Sequence, residues 1–166
     1  MKLATVTVKN WMNFQELSDV PLHTRNYVIG ANAVGKSNFL DIFRFLRDVA
    51  SPAGAKPSAG GLQEAINRRD GIRKLRCLHG RKDSEVLIDV TLKEGQDSWR
   101  YVLGFKGEGK ANNRVLIRQE KVFKNGQPLP QCQRPDAEDK QDSDRLTATY
   151  LENPMLTRSS ASLLTI

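Results

Sequence analysis

The sequence predicts an α/β fold, and three observations carry the prediction. A short apolar run, Tyr27-Val28-Ile29, ends at Gly30 and enters a turn bounded by Gly30 and Gly35. A helical pattern opens directly after that turn and runs to Ala50. Three stretches with strand character then follow between residues 84 and 124. A buried strand feeding a loop reads as a short apolar run, and a helix reads as a 3.6-residue recurrence of apolar positions.

Each element follows from its residues. Residues 2–9 alternate, with Leu3, Val6 and Val8 apolar and Thr or Lys between them, which predicts a strand. Residues 14–20 are expected to pair with it after a turn around Trp11-Met12-Asn13. Along 37–50, Phe39, Leu40, Ile42, Phe43, Phe45, Leu46 and Val49 cover a wide arc of the helix. So broad a face implies burial against a sheet and against something more. The Pro, Gly, Ala and Ser content of 51–61 marks a loop, and Leu62–Arg69 reads as a short helix. The runs 84–93, 98–106 and 114–124 read as antiparallel strands, separated by turns at Glu94–Asp97 and Gly107–Lys110. Asn125-Gly126 marks a further tight turn. Beyond Pro128 the chain becomes polar and proline-punctuated, and is expected to be weakly ordered. The expected organisation is therefore 1–130 as one domain and 131–166 as a polar tail. Within the first, 1–50 holds two strands, the loop and the first helix, 51–82 a loop and a basic segment, and 84–125 an antiparallel β-lobe.

Length and composition narrow the classes. A chain of 166 residues suits one domain. No stretch approaches the ~20 apolar residues of a membrane span, and the alternating N-terminus is not a signal peptide. Cys77 and Cys132 stand far apart, and two histidines cannot complete a standard zinc site with them. A reducing, cytoplasmic compartment is the natural expectation, with no membrane partner. The formal net charge of +7 favours phosphate-rich partners. The charge is uneven: Arg68, Arg69, Arg73, Lys74, Arg76, Arg81 and Lys82 crowd one segment, and Asp136, Glu138, Asp139, Asp142 and Asp144 another.

The chemistry lies in Gly30-Ala31-Asn32-Ala33-Val34-Gly35-Lys36-Ser37, which fits GxxxxGK[ST] at every fixed position. The glycines let the backbone turn sharply and approach a phosphate without a Cβ in the way. Loop N–H groups can converge on phosphate oxygens, and the following helix adds the positive end of its dipole. Lys36 is expected to reach the β- and γ-phosphates, and the Ser37 hydroxyl to ligate Mg²⁺. The strand before the motif and the helix after it are the context that a chance match lacks. ATP with Mg²⁺ is therefore the expected ligand of an α/β P-loop NTPase core.

Other segments carry less. Val86-Leu87-Ile88-Asp89 could be a Walker B strand, with Asp89 near Mg²⁺. Val90 stands where a catalytic Glu is expected, so an ordinary antiparallel strand is the better reading. The glycine-rich stretch Gly104–Lys110 opens no helix and reads as a hairpin turn. The basic residues Arg68, Arg69, Arg73, Lys74 and Arg76 could meet DNA phosphates. A solvated face is the slightly better reading, because few aromatics are interleaved with them. Cys77 and His79 have no evident partner for catalysis, and the sequence assigns no catalytic residue.

The opening segment resembles ATPases of the SMC, RecF and OLD class. The resemblance rests on Lys9-Asn10-Trp11-x-x-Phe14, the run Tyr27-Val28-Ile29-Gly30, the loop and its extension to Asn38, and the helix through Leu46. The wider pattern resembles RecF-like predicted ATPases of the AAA family, with a segment like Gly60–Ala65, a basic stretch, a lobe like 84–124 and a segment like Asp144–Thr147. The resemblance implies the N-terminal portion of an ABC-type ATPase head with an antiparallel β-lobe. It also implies Asn32 and Asn38 near the phosphates, and partnership between two heads across ATP, coupled to DNA repair or to defence against mobile elements. No signature motif, Walker B Asp-Glu pair, D-loop, switch histidine or convincing Q-loop glutamine (Gln119 and Gln141 are the nearest) stands in these 166 residues. The expectation is a truncated or split ATPase, needing a missing C-terminal half or a second head to hydrolyse ATP. Two rivals remain. One is a complete small P-loop enzyme, against which stand the lack of an NKxD or DxxG motif and of an evident lid. The other is a basic nucleic-acid-binding module regulated by nucleotide.

Overall fold

The computed structural model describes residues 1–50, 61–78, 84–107, 115–134 and 149–150. Its centre is one six-stranded sheet, antiparallel throughout. The strands are β1 (Lys2–Trp11), β2 (Phe14–Pro21), β3 (Val86–Glu94), β4 (Asp97–Gly107), β5 (Val115–Lys124) and β6 (Gln127–Arg134). Their order across the sheet is β2-β1-β3-β4-β5-β6. Three helices accompany them: α1 (Lys36–Ala50), α2 (Gly61–Asn67) and α3 (Ile72–Leu75).

One face of the sheet carries the core. Along β3, Val86, Ile88, Val90 and Leu92 are buried and the residues between them are not, which is the alternation of a strand with one covered face. Tyr101, Leu103 and Phe105 extend that face on β4, and Val6 and Val8 on β1. Helix α1 covers it with Ile42, Phe45, Leu46 and Val49, spaced to share one helix face. Phe45 is the hub. It meets Trp11 edge-on at 5.1 Å and stacks on Phe105 at 5.6 Å.

An ion-pair clamp fixes α1 against α2. Arg69 follows α2 and is almost wholly buried. It makes a two-pronged bond to Asp41 at 2.7 and 3.0 Å, reaches Asp48 at 3.1 Å, and donates to the Ala65 carbonyl at 2.7 Å. Its guanidinium also lies 5.1 Å from the Phe45 ring centre. Burial pushes the Asp48 carboxyl up, but hydrogen bonds from Arg47 and Arg69, with their charges, outweigh it and hold the pKa below its ordinary 3.8.

Several expectations change here. Tyr27-Val28-Ile29 is not a strand. The segment is irregular, with Tyr27 82% and Ile29 90% exposed, because no described strand lies beside it to pair its backbone. The strands at 84–124 do not form a separate lobe, since β3 pairs directly with β1 and continues the sheet of the N-terminal hairpin. The sheet also gains β6, which runs through Arg134 and crosses the boundary set at 130. Pro128 and Pro130 masked it, and both are tolerated because β6 is an edge strand that need not donate on its outer side. The Asn125-Gly126 turn is present, with φ of 51° and 80°, the left-handed pair that a two-residue hairpin turn requires. Helix α3, inside the basic segment, is additional. Most of the 131–166 tail, the loop at 51–60 and the turn after Gly107 lie outside the described residues. Among those described, no helix is long and apolar enough to cross a membrane.

Replacing Arg69 with Ala strands Asp41 and Asp48 in a nearly dry site. We expect a loss of about 3–5 kcal/mol in urea unfolding, with Lys failing to restore it for want of a two-pronged donor. Because the Asp48 pKa is depressed on folding, its contribution is present above pH ~4 and fades as pH falls through the lower folded value. Asp48→Asn is therefore expected to be less stable at pH 7 and to show a flatter acid limb in the same assay.

Candidate nucleotide-binding site

The Gly30–Gly35 loop enters α1 at Lys36, and the first helical turn closes with Phe39 N–H donating to the Gly35 carbonyl at 2.9 Å. Two left-handed residues shape the loop, Ala33 at φ 63° and Gly35 at φ 108°. The left-handed backbone favours glycine at position 35, and a Cβ there would displace the Asn13 side-chain amide.

Lys36 straps the loop. Its Nζ donates to the Gly30 carbonyl at 2.7 Å and to the Ala31 carbonyl at 2.6 Å. An ammonium has three donors, so one remains for a phosphate oxygen. In a planar trans peptide the C=O and the following N–H point in opposite directions. Holding those two carbonyls on Lys36 therefore turns the N–H groups of Ala31 and Asn32 away from the ammonium. Ala31, Asn32, Ala33 and Val34 are exposed, and Ser37 lies exposed on the first turn of α1. A tethered ammonium with a free donor and an exposed hydroxyl at a helix start are groups that a polyphosphate with its Mg²⁺ can use.

Asn38 is half-buried and held twice. Trp11 Nε1 donates to its carbonyl at 2.9 Å, and its own amide donates to Asn13 Oδ1 at 2.8 Å. Asn13 in turn donates to the Val34 carbonyl at 3.1 Å. Sequence reasoning passed over Asn13. It sits at a position that the Lys9-Asn10-Trp11-x-x-Phe14 motif leaves free, and only the folded hairpin brings it to the loop.

The basic residues lie elsewhere, on the segment from α2 to α3. Arg68 pairs with Glu64 at 3.4 Å, Lys74 with Asp70 at 2.8 Å, and Arg69 is committed to the clamp on α1. Arg73 is exposed and Arg76 bridges to Trp11 across an antiparallel pair. Asp89 faces outward on β3 in a 2.6 Å ion pair with Arg100, on a strand antiparallel to both neighbours. Gln119 is on β5 and donates to Glu85 at 2.9 Å.

The family described as "AAA domain, putative AbiEii toxin, Type IV TA system" matches residues 25–152, most of the chain and all of the loop. The chain belongs to this AAA-domain family. It carries an AAA-type P-loop ATPase domain, and the Gly30–Ser37 loop described above falls inside the match. The chain is also similar to the endonuclease GajA of Bacillus cereus (strain VD045), with 42% identity over 48 residues. That alignment covers 29% of this chain and 8% of the endonuclease, so the chain spans a small part of that relative's length.

Gly35→Ala places a methyl group against Asn13 and strains the left-handed backbone. We expect a loss of about 1 kcal/mol or more, with amide signals shifted in NMR spectra over 30–38 and at Asn13 but not along β4 and β5.

Proposed function

We propose that this chain is the ATP-binding N-terminal portion of an SMC/RecF/OLD-like ATPase with an ABC-type head. Mg²⁺–ATP is held at Gly30, Ala31, Asn32, Ala33, Val34, Gly35, Lys36, Ser37 and Asn38, with Ser37 as the metal ligand. The observation that carries the reading is the strapped loop at the start of α1, where a tethered ammonium, an exposed hydroxyl and the N-terminal end of a helix stand together. AAA-family membership supports the same ligand.

Hydrolysis, on this reading, needs further polypeptide, either a C-terminal half or a second head. The run Tyr27-Val28-Ile29 supports it. The segment has the composition of a buried strand and leads straight into the loop, yet two of its three side chains are almost fully exposed. Cavities of about 520 and 340 Å³ flank it, and both include Val28 and Phe39 in their walls. A neighbouring strand laid there would cover the run and bring acidic and polar groups to the open side of the phosphates. Phosphoryl transfer depends on such positioned groups, so a loop without them binds nucleotide and turns it over poorly. The similarity to a protein named as an endonuclease supports a role in DNA repair or in defence against mobile elements.

Titration with labelled ATP and Mg²⁺ tests the reading. The wild-type chain is expected to bind, Lys36→Ala to bind at least tenfold more weakly, and both to show negligible turnover. Equal affinity in the variant excludes Lys36 from the nucleotide site. Brisk Lys36-dependent turnover by the chain alone excludes the need for a second half.

A further inference from the structure

We propose that Asn13 is a positioning residue of the phosphate loop, a latch from the β1–β2 turn that holds the Val34 carbonyl outward and thereby aims the Gly35 N–H at the bound phosphates. The proposal rests on reading Gly30–Ser37 as a nucleotide site and adds a residue outside that motif to it.

The geometry is specific to an amide. Asn13 donates through Nδ2 to the Val34 carbonyl at 3.1 Å, and accepts through Oδ1 from the Asn38 amide at 2.8 Å. A carbonyl can only accept, so Val34 fixes which end of the Asn13 amide is nitrogen. That choice in turn fixes the orientation of Asn38. An aspartate would set a carboxylate against the Val34 carbonyl and add a negative charge beside the phosphates. A serine cannot span both partners. Val34 C=O and Gly35 N–H share one planar trans peptide, so a carbonyl held on the turn directs the N–H to the opposite side.

Four further contacts surround the latch. The Asn13 amide occupies the space a Cβ would need at Gly35, packing directly on the last loop residue before α1. The turn is anchored from behind, with Met12 N–H donating to the Leu75 carbonyl at 2.6 Å and Cys77 N–H donating to the Asn10 carbonyl at 2.9 Å. Trp11, fully buried, holds the main chain of Asn38 while Asn13 holds its side chain. The turn thus grips the loop just before the helix and the helix just after the loop.

The test uses the full chain, with Asn13→Ala, Asn13→Asp, Asn38→Ala and Lys36→Ala beside the wild type. Amide hydrogen exchange is measured by NMR without nucleotide, and affinity with labelled ATP and Mg²⁺. We expect Asn13→Ala to speed exchange several-fold at residues 34–36 while the amides of β1 and β2 keep their protection, and to weaken ATP roughly five- to tenfold. Asn13→Asp keeps the bond from Asn38 but loses the one to Val34, and is expected to bind ATP no better than Asn13→Ala. Asn38→Ala is expected to loosen the same amides from the other side of the latch. Unchanged loop exchange and affinity in Asn13→Ala, while Lys36→Ala loses affinity, would overturn the latch and leave the nucleotide site standing. Lost protection throughout β1 and β2 would also overturn it, because Asn13 would then be a folding residue. If ATP binds no differently to wild type and Lys36→Ala, the nucleotide reading fails instead. Loop exchange alone then decides the latch, with acceleration at 34–36 supporting it and no change overturning it.

Discussion

The contact between Trp11 and α1 is the constraint on which the loop depends. A loop of exposed small residues cannot fix its own conformation and takes it from its neighbours. Trp11 ends β1 fully buried, with its ring against Phe45 and its indole N–H on the Asn38 carbonyl. The sheet's position is thereby passed to the first turn of the helix, and through Lys36 to the loop. Burying an indole of this size also supplies hydrophobic driving force where it is needed, at the junction of sheet, helix and turn. Arg69 completes the restraint from the other side, stacking on Phe45 and tying both acidic residues of α1 to the end of α2.

Much of this was legible in the sequence because the signals are local. The GxxxxGK[ST] spacing, the 3.6-residue recurrence in 37–50 and the alternation in 2–9 each lie within a short stretch of chain. The loop Gly30–Ser37 can be picked out from a motif; Asn13 cannot, because its partners lie 21 and 25 residues away and only the hairpin brings them within reach. The same limit applies to Arg69, which looked like one basic residue in a cluster. Its burial depends on Asp41 and Asp48, 28 and 21 residues earlier on a helix that must first dock. Strand β6 was hidden for a different reason. Its prolines argue against a central strand, and composition does not reveal that a strand lies at an edge.

The segment 27–29 is where local pattern and tertiary structure part company. Its residues are those of a strand buried on both sides, yet β-structure is not a property of one segment. A strand is stabilised by partners that satisfy its N–H and C=O groups and by side chains that cover its faces. None of the described strands pairs with it: β1 lies between β2 and β3, and the outer edges of β2 and β6 stay unpaired. The side chains remain exposed. The apolar surface is thus explained by the absence of a neighbour, not by a poor strand sequence.

Of the described non-glycine residues with positive φ, Asn10 and Met12 flank Trp11 and Ala33 lies in the loop, while Asp19, Asp70 and Asn125 lie elsewhere. Such conformations cost of order 1–3 kcal/mol each and persist only where the surroundings over-determine them. Here those surroundings can be named. The Asn10 side chain donates to the Glu85 carbonyl at 2.8 Å, the Met12 N–H is held by Leu75, and the loop containing Ala33 is strapped by Lys36 on one side and by Asn13 on the other. Positive φ is what a two-residue hairpin turn uses, at Met12 as at Asn125, and at the β1–β2 turn that backbone also sets where the Asn13 side chain stands. Asn13 is the contact between this turn and the Gly30–Gly35 loop, through its bond to the Val34 carbonyl.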